Sequence, residues 1–128
     1  MAVLNSNHKP AYSSVCFFEK GISTHSAVDE FRKIEQHEYS IKRLEGKSDI
    51  RFIVVDIYIA GEADIYEILS ENPYIDAIVL IGFYNRYSSI AKKEAATRGV
   101  GLFTRNEFFG VLNLQENAFL NYGISKGD

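Results

Sequence analysis

The side chains able to do chemistry are few and scattered. The three histidines are His8, His25 and His37, and none stands two or four residues from another, so zinc-type spacing is missing. Cys16 is the single cysteine and lies in the aromatic run YSSVCFF. A thiol there reads as a small apolar side chain, not as an activated nucleophile. There is no Gly-x-Ser-x-Gly elbow, and Ser88-Ser89 reads as helix capping. Neither a Gly-x-x-x-x-Gly-Lys nor a Gly-x-Gly-x-x-Gly phosphate loop occurs. The expectation is therefore no metal and no cofactor.

Paired carboxylates are the one remaining catalytic pattern. Two acids at neighbouring strand ends can hold Mg²⁺ and align a water for phosphodiester cleavage. A lysine beside them offsets the developing charge. Asp56 is the candidate acid, and Tyr58 stands where a lysine two residues on would be needed. Tyrosine supplies no such charge, so Asp56 and Tyr58 form at best a degenerate pair, and the expectation leans away from an enzyme.

Two sets of residues could bind instead. Gly82-Phe83-Tyr84-Asn85-Arg86-Tyr87 follows an apolar strand and precedes a helix. That is the carboxyl end of a strand, where doubly wound sheets bind ligands. Phe83, Tyr84 and Tyr87 could stack on a base or ring, and Arg86 could meet a phosphate. The second set is basic: Lys42, Arg43, Lys47 and Arg51 around one turn, with Lys92, Lys93 and Arg98 on a later helix. Lys42, Arg43, Lys47, Arg86, Lys92 and Lys93 are the candidate nucleic-acid contacts, because cations tracking phosphates give salt-dependent affinity.

Composition bounds these readings. At 128 residues and 46% apolar, the chain can bury a core without staples, which excludes disordered and disulfide-scaffold classes. A net charge of −3 excludes a dedicated non-specific DNA coat. No apolar run approaches the roughly 20 residues of a spanning helix, so no membrane partner is expected. The polar start, residues 1–10, has no apolar run of the secretory kind, so no secretory signal is expected, and the lone cysteine makes a cytoplasmic location the expectation.

The elements that must position these residues follow from periodicity. The run 12–18 predicts a strand on its aromatic and β-branched content. Ser26 to Asp29 resembles a capping box, and Val28, Phe31 and Ile34 predict a helix over 26–36. Residues 39–59 predict a hairpin turning at Gly46, whose second strand, 50–59, alternates Ile53, Val55, Ile57 and Ile59 against Phe52, Val54, Asp56 and Tyr58. Helices over 62–71 and 88–98, strands over 75–82 and 100–103, and a helix opened by the Thr104–Glu107 capping box complete the order. The predicted fold is one α/β domain of three layers over 11–113, with a mixed, largely parallel sheet and one hairpin. A flexible tail is expected over 1–10 and an irregular or short helical tail over 114–128.

The segment 51–113 resembles the latter half of restriction-endonuclease-like domains, the PD-(D/E)xK superfamily. VVDIY matches the strand that carries the E-x-K pair, IDAIVLIGFYN the next strand and loop, and IAKKEAATRGVGLFTRNEF the closing helix–strand–helix. Such domains run helix, hairpin, E-x-K strand, helix, strand, helix, strand. Placed on that pattern, Asp56 matches the glutamate and Tyr58 the lysine, while the upstream aspartate has no match. The resemblance therefore implies a catalytically degenerate member with a binding or scaffold role toward nucleic acid or a nucleic-acid-processing partner. Two alternatives stand beside it. One is a protein-interaction module, homodimers included. The other is a small-ligand domain using the 82–87 loop.

Overall fold

The computed structural model describes residues 8–122. Its first element is a helix, α1 (Tyr12–Ser23), where the aromatic run predicts a strand. Val15, Phe18 and Ile22 are buried along it, and their spacing of three and four is the helical period. The opposite correction applies next. The predicted helix over 26–36 is a strand, β1 (Val28–Glu35), paired antiparallel with β2 (Glu38–Arg43). The register shifts between Val28 and Glu30 and again between Lys33 and Glu35. A bulge adds one residue and reverses strand parity. Val28 and Phe31 therefore pack against the same core at a separation of three, which imitates a helix face.

A turn over 44–49 leads from β2 to β3 (Ile50–Val55), again antiparallel. Glu45 and Gly46 take φ of 61° and 74° there, a left-handed pair that suits glycine at the second position. The chain continues through β4 (Ile59–Ala60), α2 (Glu62–Glu71), β5 (Ala77–Leu80), β6 (Arg86–Tyr87), α3 (Ser89–Thr97), β7 (Gly101–Thr104), α4 (Arg105–Val111) and α5 (Glu116–Leu120). The main sheet has the order β1-β2-β3-β5-β7, and β3, β5 and β7 run parallel. β4 and β6 form a separate parallel pair.

The alternation along β3 separates two cores. Phe52 and Val54 join Phe18, Ile22, Tyr39, Phe103, Phe108 and Phe119 under α1, α4 and α5. Ile53 and Val55 join Ile65, Ile68, Ala91 and Ala95 under α2 and α3. The result is a single α/β domain with a mixed sheet between two helical layers. Both sheet edges are blunted. β1 carries two register shifts and five charged residues, and β7 has a carbonyl, that of Leu102, occupied by the Lys92 ammonium at 2.6 Å.

The packed unit extends past both predicted boundaries. The carbonyl of buried His8 accepts the Asp56 N–H at 2.9 Å. Phe119 lies edge-on to Phe103 at 5.2 Å, so residues expected as a tail cover one end of the core. The remainder of the predicted tails, 1–7 and 123–128, lies outside the described residues. Among the described residues, no helix is long and apolar enough to cross a membrane.

Candidate functional site

The carboxyl ends of β3, β5 and β7 bring three segments together: residues 56–58, the loop 82–87 and the start of α4. β3 ends at Val55, so Asp56 and Tyr58 leave the sheet instead of sharing a strand face. Asp56 Oδ1 accepts a hydrogen bond from Asn85 Nδ2 at 2.9 Å. The other end of that amide, Asn85 Oδ1, accepts the N–H groups of Ile57 at 3.0 Å and Gly82 at 3.1 Å. One asparagine side chain thus ties the 82–87 loop to the ends of two strands. Gly82 is required there, since a Cβ would lie 2.5 Å from Asn85 Nδ2 and 2.7 Å from Asp56 Oδ1.

Held this way, the loop presents aromatic rings to solvent. Tyr84 is 83% exposed, Phe83 60% and Tyr58 64%. Cations sit against these rings. The Arg86 guanidinium lies 5.5 Å from the Tyr58 ring centre. The Arg105 guanidinium sits in the angle between Phe83 at 4.9 Å and Phe17 at 4.8 Å, and those two rings meet edge-on at 5.8 Å. Each such cation–ring contact contributes about 0.5–1 kcal/mol at an exposed site. Arg105 Nε is buried without a hydrogen-bond partner among the described residues, and the aromatic contacts hold this side chain in place. Phe17 comes from α1 and Arg105 from the first turn of α4, and neither stands out in the sequence as a site residue.

Beneath this surface lies a second, inward-facing group. The Tyr87 hydroxyl donates to both carboxylate oxygens of Glu107, at 2.9 and 2.8 Å, and Glu107 also accepts the Thr104 N–H. Burial, reinforced by Glu107, raises the Tyr87 phenol above its ordinary range. Lys92 lies 4.1 Å from the Phe103 ring centre and is 1% exposed. Burial, opposed by the charge of Glu107, pushes its ammonium down to about 8. Lys92 is therefore a core residue of this structure, not a surface cation.

The basic residues singled out in the sequence do not gather. Arg43 is buried, and its guanidinium donates to the carbonyls of Ser48, Leu112 and Leu114. Lys47 pairs with Glu45 at 3.2 Å, and Arg51 pairs with buried Glu38 and covers the Tyr74 ring at 4.6 Å. Lys42 and Lys93 are exposed. Lys42 and Lys47 flank the start of β3, whereas Arg86 lies past its end, a separation of about 17–20 Å for a six-residue strand. A cleft of about 180 Å³ opens at the amino ends of the parallel strands, beside Arg43, Asp49, Asp76 and Phe119. Among the described residues, no three His, Cys, Asp or Glu side chains gather as a metal-ligand set. Comparison of the chain with protein-family models, with curated proteins and with solved structures gave no match.

Proposed function

We propose that this chain is a non-catalytic binding domain on a restriction-endonuclease-like scaffold, and that it contacts single-stranded nucleic acid through the carboxyl-end surface. The observation that carries this reading is the set of exposed rings Tyr58, Phe83 and Tyr84 beside Arg86 and Arg105. Unpaired bases stack on such rings, each worth about 1–3 kcal/mol, while arginines meet the phosphates between them. Duplex bases are already stacked, so exposed rings gain nothing from them. Tyr84 stands out from the surface, which favours an extended polymer over an enclosed small ligand at this loop.

The scaffold part of the reading draws on element order. Over 51–113 the order β3, α2, β5, α3, β7, with the short β4 and β6 interposed, is compatible with the order that the resemblance implies. The non-catalytic part draws on the degenerate positions. The carboxylate of Asp56 is engaged by Asn85, and Tyr58 presents an aromatic ring to solvent where the pattern needs a lysine.

A titration against single- and double-stranded DNA and RNA tests this, at low and moderate salt, with and without Mg²⁺, with each nucleic acid checked on a gel. The expected result is binding to single strands without cleavage, weakened about tenfold or more by Phe83→Ala combined with Tyr84→Ala. Mg²⁺-dependent cleavage would overturn the non-catalytic part. Absence of binding at low salt would overturn the nucleic-acid part and leave a protein partner as the reading.

A further inference from the structure

We infer that Asp56 and Asn85 form a latch that positions the nucleic-acid-contacting loop, so that a carboxylate in the degenerate catalytic position acts as a structural anchor. For its effect on binding this depends on the reading of the loop given above. For its effect on loop order it depends only on the hydrogen bonds.

Three hydrogen bonds converge on one side chain. Asn85 Nδ2 donates to the Asp56 carboxylate, and Asn85 Oδ1 accepts the N–H groups of Ile57 and Gly82. The orientation of the amide is fixed by this set, since a flipped Asn85 would place its NH₂ against two N–H donors and its oxygen against a carboxylate. The backbone adds a further bond, Asn85 N–H to the Gly82 carbonyl at 3.2 Å, which closes the turn containing Phe83 and Tyr84. Arg86 follows directly, and its N–H donates to the Tyr58 carbonyl at 2.9 Å. The rings and the arginine thus project from a turn whose two ends are pinned by one asparagine and one aspartate. The Asp56–Asn85 contact fills the space that a Cβ at Gly82 would need. Neither Asp56 nor Asn85 needs to touch the ligand, and both are positioning residues.

The test is an exchange of partners. In Asn85→Asp two carboxylates face each other across a hydrogen-bond distance, and the latch opens by repulsion. The double variant combines Asp56→Asn with Asn85→Asp. There the amide introduced at position 56 donates to the carboxylate introduced at position 85, which still accepts from Ile57 and Gly82. Amide hydrogen exchange at Ile57 and Gly82 reads the latch directly. Affinity for a single-stranded oligonucleotide reads its consequence.

The expected result is exchange faster by roughly tenfold or more in Asn85→Asp, weaker oligonucleotide binding, and recovery of both in the double variant. Asp56→Ala removes the acceptor and leaves Asn85 in place, so it should also speed exchange at Ile57 and Gly82, and unchanged exchange there would overturn the latch even where Asn85→Asp does not fold. Unchanged exchange in Asn85→Asp, or no recovery in the double variant, would overturn the latch. Exchange that responds as expected in a protein that binds no oligonucleotide would keep the latch and overturn the nucleic-acid reading instead.

Discussion

Lys92 shows at the scale of one residue how burial can override a sequence pattern. In the sequence it sits in a run of bases and reads as a phosphate contact. In the fold its ammonium is buried against Phe103 and the Leu102 carbonyl, and burial pushes it down to about 8. The unfolded chain holds the same proton up to about 10.4. Between those values the unfolded state binds more protons than the folded one, so stability rises with pH across that window. Lys92→Met should flatten this rise, which urea unfolding between about pH 7.5 and 9.5 would resolve. An identical slope in the variant would mean that the ammonium reaches water. His37 carries the same sign at lower pH, since burial, with Lys9 and Lys33, lowers its imidazole and stability falls as the solution is acidified through that range. Tyr39 and Tyr87 carry the opposite sign. Their phenols are raised, chiefly by burial, so stability is lost once the unfolded chain's tyrosines ionise near about pH 10.

Arg43 extends the same lesson from residue to element. It joins the 44–49 turn to the end of α4 by donating to Ser48, Leu112 and Leu114. Arg43→Leu would leave three carbonyls without their charged donor and should cost about 2–4 kcal/mol in urea unfolding. Lys42→Glu, one residue away and exposed, should stay within about 0.5 kcal/mol. Equal, small effects would mean that the Arg43 side chain is solvated and free to meet a phosphate. The second half of the sheet was legible at this scale because each segment kept one period: α2 spans the predicted residues, and the Thr104–Glu107 capping box opens α4. In the first half the hairpin of β2 and β3 with its turn at Gly46 was legible too, but the two elements before it were not. Val15, Phe18 and Ile22 kept helical spacing inside a run whose residue types favour strands, and two register shifts gave β1 a three-residue spacing. The site inherited these errors. The 82–87 loop could be placed from the strand before it, but Phe17 could join it only once α1 was a helix packed over the sheet.

For the molecule as a whole, the net charge of −3 sets how nucleic acid could be held. Glu45 and Glu38 pair with Lys47 and Arg51, and Arg43 and Lys92 are buried, so these four of the eight bases singled out in the sequence are spoken for. The exposed rings have two arginines beside them, Arg86 and Arg105. Two phosphate contacts on a single strand give a slope of about −1.4 in the logarithm of affinity against the logarithm of salt. Affinity should then fall only roughly sevenfold between 50 and 200 mM salt, far less than for a protein that tracks a duplex with many lysines. Stacking must supply the rest, and stacking is insensitive to salt. Arg86→Glu should halve the slope to about −0.7 and weaken binding at low salt, whereas Tyr84→Ala should weaken binding by a similar factor at every salt concentration. A slope of about −4 in the wild-type protein would require cations from both ends of β3, and would move the contact surface from the aromatic loop to a track that includes Lys42 and Lys93.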